Sequence, residues 1–409
     1  MDRLLLLLPT TTYRTQDFLD AARTLGVDLV CASERPNTLE GHLPDHFLTL
    51  DFTDPDGAAA AVAAFSRTRP LRAVVGVDDM TAVAAAAIAE RLGLTSSAVA
   101  AVATARDKFQ TRQCLAAAGV PTPRYRRLAL KDDPLLASRG VGFPCVLKPL
   151  TLSASRGVIR ANNVDQFIAA FRRIAALLTR DDVTVSGDGA QFLLAEEYVP
   201  GVEVAVEGLM IGGALHTLAV FDKPDPLEGP FFEETIYVTP SRLPEDVQRR
   251  LREVTAGACA ALGLTEGPIH AELRVNDAGP WVLEIAARSI GGLCSRTLRF
   301  GTGVTLEELI LRHALGRPIA SLDRERGAAG VMMIPIPRAG RLRAVHGEEA
   351  ARAVAGIEDV SITAHREQAL VPLPEGWQYL GFIFARGDSP AVVEGALRDA
   401  HARLLFQID

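Results

Sequence analysis

The first hundred residues alternate short apolar runs with stretches whose apolar positions recur every three or four residues. Leu4–Leu8 is unbroken leucine and reads as a buried strand, Gln16–Leu25 has helical spacing, and Val27–Cys31 is a second strand. Leu71–Val77 is a further strand, and Met80–Leu92 a helix closed by Gly93. Strands alternating with helices predict a parallel sheet covered on both faces, Rossmann-like in shape, over residues 1–103. The first strand runs into PTTTYRT instead of GxGxxG, so no dinucleotide fingerprint is present.

A different pattern begins after Ala103. TARDKFQTRQCLAAAGVPTPRY reads as a helix with basic residues, stopped by Gly119 and two prolines. From Phe143 to about Ile290 the strands alternate in polarity and are joined by glycine-containing turns, as in VPGVEVAVEG and MIGGAL, which are antiparallel signals. A third region starts near Gly316, with a strand at Gly330–Pro335 and a closing helix at Pro390–Leu405. The expected fold class is α/β (α+β), in three domains: 1–103, 104–315 and 316–409. Without a low-complexity tether these should pack together and bind ligand in the cleft between them.

Composition adds exclusions. A net charge of -7 argues against a nucleic-acid or membrane-surface partner. The five cysteines (31, 114, 145, 259 and 294) form no CxxC pair and leave an odd one, as expected of reduced thiols in a cytoplasmic protein. MDRLLLLLPT has too short an apolar core and no cleavage site for a signal peptide, and TAVAAAAIAERLGL meets charge before membrane-spanning length.

Candidate chemistry lies between residues 144 and 292. Lys148 ends the apolar run Pro144–Lys148, and Ser153, Ala154, Ser155, Arg156 and Gly157 follow. Small side chains there let backbone N–H groups close over phosphate oxygens, although a surface lysine ahead of a loop would look the same and no Walker pattern is present. In LLAEEYVPGVEVAVE one strand ends at Glu196-Glu197-Tyr198-Val199 and another starts after Pro200-Gly201. An exposed amide and carbonyl beside an apolar wall suit a purine edge, and Glu203 or Glu207 suits a ribose hydroxyl; a plain hairpin with a polar face is the alternative.

GPIHAELRVNDAGPWVLEIAARSIGG, residues 267–292, reads as two strands flanking a turn. His270, Glu272 and Arg274 share one face, as do Glu284, Ala286 and Arg288. A hairpin centred on Ala278 sets Glu272 opposite Glu284, where like charges repel unless a cation lies between them. Oxygen-only ligands favour Mg2+ or Mn2+. Two solvated carboxylates on an exposed face would give the same pattern.

The order of these segments resembles the ATP-grasp superfamily, and EIAARSIGG together with GFIFARGDSPAVVEGALRDAHARLLFQI resembles its L-amino acid ligase group of carboxylate–amine ligases. The resemblance implies an ATP-grasp fold with a C-terminal α+β lid domain, ATP and Mg2+ (or Mn2+) as cofactors, and amide formation through an acyl phosphate. It implies that Lys108 and Lys148 contact nucleotide under a lid containing Ser153, Ser155, Arg156 and Gly157. Glu196, Glu197, Tyr198 and Val199 would frame adenine, and Glu203 would take the ribose. Glu272 and Glu284 would bind metal, and Arg288 would be catalytic. One departure stands out: Ala286 lies where the superfamily often has asparagine, which leaves the metal with two glutamates, phosphates and water.

FFEETIYVTPS, residues 231–241, lies between the nucleotide strands and the hairpin, so Glu233, Glu234 or Tyr237 is a candidate amine contact, with a surface loop as the alternative. His270 is a substrate or structural histidine, and Gly291-Gly292 gives close backbone approach. Small-molecule carboxylate and amine substrates are implied, and a homodimer is compatible with the related ligases. A purine-pathway-type ligase, a phosphotransferase and a non-catalytic nucleotide-binding regulator remain open, although the acidic FFEETIY speaks against a sugar-phosphate substrate.

Overall fold

The strand Arg3–Leu7 lies inside a four-stranded parallel sheet, between Asp28–Ser33 and Ala73–Gly76, with Phe47–Thr49 at the edge. This computed structural model describes residues 2–183, 185 and 187–409. Leu4 and Leu6 face one core and Leu5 and Leu7 another, which is why the leucines run unbroken. The helices Thr15–Leu25 and Asp79–Leu92 end at Gly26 and Gly93 in left-handed conformations. Phe47–Thr49 and the helix Pro55–Ser66 lack a periodic signal: one is too short, and the other is mostly small and apolar all round.

The single helix expected after Ala103 is two. Val99–Arg106 and Lys108–Ala117 meet at Asp107, an extended residue whose carboxylate accepts the N–H groups of Phe109 and Gln110. The break makes Lys108 the first residue of its helix.

A second four-stranded sheet runs in the order Tyr125–Ala129, Phe192–Glu197, Cys145–Pro149, Ile159–Ala161, all antiparallel. The helix Val164–Leu178 backs it through Phe167, Phe171 and Ile174. The third sheet has eight strands, in the order Gly279–Ala286, Gly267–Asn276, Val202–Ile211, Ala214–Asp222, Ile236–Thr239, Ala328–Ile334, Gly381–Gly387, Ile357–Ile362. Its neighbours are likewise antiparallel.

Three features of the connections were not in the sequence pattern. Phe192–Glu197 and Val202–Ile211 are not a hairpin, because they belong to different sheets and residues 198–201 cross between them. Gly201 is required at that crossing: its φ is +123°, and a Cβ would stand 2.1 Å from the Val275 carbonyl oxygen. The boundary near residue 316 is not a break between layers, since Ile236–Thr239 pairs with Ala328–Ile334. The closing helix stops at His401, and Leu405–Ile408 instead pairs with Gly340–His346.

All five cysteines are free, and burial pushes the thiols of Cys145 and Cys259 up to about 12. Among the described residues no helix is long and apolar enough to cross a membrane.

Candidate functional site

Glu272 and Glu284 face each other across the strands Gly267–Asn276 and Gly279–Ala286. They do so by a route the sequence hid. The turn is two residues, Asp277-Ala278, with Asn276 opposite Gly279, and its register continues only to Leu273 opposite Val282. Leu283 is then an extra residue, a β-bulge, and beyond it the ladder resumes at Glu272–Glu284 and His270–Ala286. Arg288 lies beyond the strand.

On the Glu272 side a buried network fills the sheet face. His270, Glu272 and Arg274 pair in register with Glu207, Ala205 and Glu203. Lys223 Nζ lies 2.9 Å from Glu203 and 3.5 Å from Glu272, and also contacts Glu234. Burial works against the Lys223 charge, but the three carboxylates outweigh it and hold its pKa well above the ordinary lysine range. Burial and the charge of Glu272 raise Glu234 to about 7, whereas Lys223 and His270 overcome burial and hold Glu272 well below the carboxylate range. His270 donates from Nδ1 to Glu207 at 3.0 Å, and its Nε2 is 3.7 Å from Glu272. Burial opposes its charge, yet these partners lift its pKa to about 9. Glu207, fully buried, also accepts the Ile290 N–H, so it anchors structure and is closed to a ribose.

Opposite this face, the second four-stranded sheet presents Lys148, whose Nζ is 2.6 Å from Glu196. Glu196 also takes Arg112 Nε at 2.6 Å, so its side chain is spent inside the protein, and its backbone lies in the sheet between Tyr125 and Val146. Burial pushes Lys148 down, and Glu196 offsets this only in part. Lys108 Nζ bridges the Leu152 carbonyl (2.8 Å) and Glu284 (3.3 Å). Glu197 pairs outward with Arg124, and the Tyr198 ring is stacked between Arg160 and Arg274 at 4.0 and 4.9 Å. Arg274 further binds the Val199 carbonyl and Glu203. The Val199 N–H has no acceptor among the described residues.

The segment Ser153–Gly157 follows the strand that ends in Lys148-Pro149, with Ala154, Ser155 and Gly157 all at positive φ. Arg156 does not point at a phosphate position: it is buried, with Nε on the Glu375 carbonyl and the guanidinium on Asp182. The Gly157 N–H binds the Pro374 carbonyl at 2.9 Å, and Arg173 pairs with Glu375. The loop is thus fastened to the C-terminal region.

Arg288 reaches the N-terminal region, where Nε and Nη2 both donate to Asp79, the first residue of the helix Asp79–Leu92, at 3.0 and 2.9 Å. Burial would raise Asp79, but Arg288 prevails and holds it below the usual carboxylate range. Burial and the neighbouring Asp79 push Asp78 up to about 6. FFEETIYVTPS is not a surface loop. Tyr237 is buried in the sheet, edge-on to Phe221 and 5.1 Å from Lys223, and Glu233 is raised by burial. Gly292 admits no side chain, since a Cβ would meet the Phe382 ring at 2.9 Å, whereas Gly291 opens onto free space.

Sequence reasoning missed Lys223, Arg112 and Asp79. Lys223 carried a signal, because AVFDKP repeats the apolar-run-then-Lys-Pro pattern of PCVLKP around Lys148. Arg112 and Asp79 carried none, as their partners lie 84 and 209 residues away.

The donors fit a hard divalent cation. Glu272 and Glu284 share a face, are 25% and 28% exposed, and are countered by lysine ammonium groups on flexible stems. Glu203, Glu234 and Glu272 also bring carboxylate oxygens within 4.8 Å of one another, but the Lys223 ammonium already sits among that trio.

Comparisons with known proteins agree with this geometry. The ATP-grasp domain family matches residues 141–297, the ATP-grasp N-terminal domain residues 19–95, and the L-amino acid ligase C-terminal domain 2 residues 332–409. The chain is 30% identical to alanine–anticapsin ligase of Bacillus subtilis over 237 residues, 54% of this chain and 49% of that protein. It therefore spans about half the length of that relative. In fold it is similar to the crystal structure of L-amino acid ligase from Bacillus licheniformis, with a TM-score of 0.82, 24% identity, and 100% and 99% of the two chains covered. It is also similar to carboxyaminoimidazole ribonucleotide synthase from Aspergillus clavatus complexed with ATP, with a TM-score of 0.74, 18% identity, and 98% and 99% covered. With three family matches in chain order, and the two facing carboxylates inside the central one, the chain belongs to the ATP-grasp superfamily, in its L-amino acid ligase group.

Proposed function

We propose that the protein is an ATP-dependent carboxylate–amine ligase that joins amino acids or amino-acid-like small molecules and releases ADP and phosphate. The observation that carries this reading is the meeting of cations and carboxylates: Arg112, which shares Glu196 with Lys148, reaches the Leu283 carbonyl, and Lys108 reaches Glu284, which faces Glu272. Lys148 and Lys108 would hold nucleotide phosphate, the 196–199 segment the adenine edge and Glu203 the ribose. Arg156 and Gly157 would act by fastening the loop, and Ser153 and Ser155 by closing over phosphate oxygens.

A substrate carboxylate oxygen attacks the terminal phosphorus of ATP, the bond to the bridging oxygen breaks, and ADP departs. The amine nitrogen then attacks the acyl carbon, loses a proton, and phosphate leaves. Lys148 and Arg288 are suited to stabilise charge gathering on the phosphoryl group, Arg288 by its planar fork. Mg2+ or Mn2+ held by Glu272 and Glu284 would supply further neutralisation of phosphate oxygens. The fastened loop keeps water from the activated carboxylate. Asp78 lies beside Asp79 and Arg288, and its carboxylate there favours an ammonium-bearing substrate. Free thiols fit a reducing cytoplasm.

The test is ADP and phosphate release across amino acids supplied singly and in pairs. Release that needs pairs supports the ligase. Release with one phosphorylated amine would assign a purine-pathway-type activity, and silence with retained ATP binding would assign a regulator.

A further inference from the structure

We propose that Arg112 is a positioning residue that sets Glu284 opposite Glu272 by gripping the backbone of the Leu283 bulge. The inference rests on the reading of those two glutamates as a metal-binding pair. It starts from the register. Extending the turn's own pairing beyond Leu273–Val282 would put Leu283 opposite Glu272 and Glu284 opposite Ala271. Side chains alternate faces along a strand, so the two carboxylates would then lie on opposite sides of the sheet. One extra residue reverses this, and the facing carboxylates exist only because the bulge does.

A bulge leaves the extra residue outside the ladder, so its carbonyl needs another donor. Arg112 Nη2 supplies it, directed at the Leu283 carbonyl. The same guanidinium holds Glu196 through Nε, and Arg112 is entirely buried. Lys108 stands one helical turn earlier and reaches the next residue of the hairpin, Glu284, through Nζ. One helix therefore delivers two cations to adjacent points of the bulge, one to backbone and one to carboxylate. The chain just past that helix adds a third hold, because the Pro121 carbonyl accepts the Val282 N–H at 2.9 Å. Arg112 also has a buried Nη1 without a partner among the described residues, a cost that a merely charge-balancing residue would not need to carry. A lysine could still pair with Glu196, but it lacks the planar fork that serves two acceptors in fixed directions.

The test is Mn2+ binding in the presence of ADP, read from the free-ion electron paramagnetic resonance signal, with melting curves to verify folding. Arg112→Lys is expected to weaken Mn2+ binding about 10- to 100-fold, the loss usual for residues that orient metal ligands. Glu284→Ala should lose at least as much, and the double variant should be no weaker than Glu284→Ala, because both remove one interaction. If Arg112→Lys does not fold, Arg112→Gln serves: it leaves Lys148 and Glu196 as a neutral pair and removes the reach to Leu283. Wild-type Mn2+ binding by the folded Arg112 variant, or losses that add in the double variant, would overturn the proposal. Unchanged binding in Glu284→Ala would instead sink the metal reading, and the proposal with it.

Discussion

The two walls of the cleft solve opposite electrostatic problems. At the smaller sheet, Lys148 from a strand and Arg112 from the helix Lys108–Ala117 share a single carboxylate, Glu196, and burial pulls Lys148 down. On the larger sheet, Glu203, Glu234 and Glu272 surround Lys223, with Arg274 on Glu203, and one carboxylate, Glu234, is pushed up to about 7. One wall has a cation in excess and the other an anion. Neither excess is relieved inside the protein, and burial makes each expensive. A nucleotide phosphate against the first wall and a metal ion against the second would relieve both together, which is the physical content of the ligase reading.

The largest expected effect comes from worsening the cationic wall. Glu196→Gln leaves Arg112 and Lys148 uncompensated and should lower stability by about 3–5 kcal/mol. A calorimetric melt that does not move would mean that the excess is not strained. Next, Arg288→Ala should reduce ADP release by about 10²–10³-fold with the fold intact; near-normal turnover would take Arg288 out of the reaction.

On the anionic wall, His270 has a folded pKa of about 9 against an ordinary 6.5. Its stabilising contribution is therefore full below pH 6.5 and is lost as pH rises through about 9, on the order of 3 kcal/mol. Melting curves from pH 6 to 10 should converge for wild type and His270→Gln at the alkaline end, and parallel curves would refute the assignment. The smallest effect lies outside both walls. Arg173→Ala removes a half-exposed pair with Glu375 and should cost under about 1 kcal/mol. Amide exchange at residues 153–157 should nevertheless quicken, and unchanged exchange would show that the pair does not fasten the loop.

Periodicity made the N-terminal parallel sheet legible, because strands buried on both faces are unbroken apolar runs. The Glu272–Glu284 pairing was legible too, though through a register that the turn does not have. Ala278 as centre and the Leu283 bulge arrive at the same facing residues. The helix break at Asp107 was masked by good helix formers on both sides. Arg156 looked like a phosphate ligand because the residues it binds, Asp182 and Glu375, are remote in sequence. What stayed hidden was chiefly the partner choice of buried charges, which no local pattern encodes.

The uninterrupted eight-stranded sheet also settles which part is anchored. Ile236–Thr239, in the same sheet as Glu272 and Glu284, is hydrogen-bonded to Ala328–Ile334 from the last third of the chain. Swinging that last third away would unzip a ladder, so the chain's end serves as bedrock. The four-stranded lobe that carries Lys148 is held, among the described residues, by one isolated bridge, Ile159–Phe231, and by loop contacts, so far fewer bonds would have to part for it to shift.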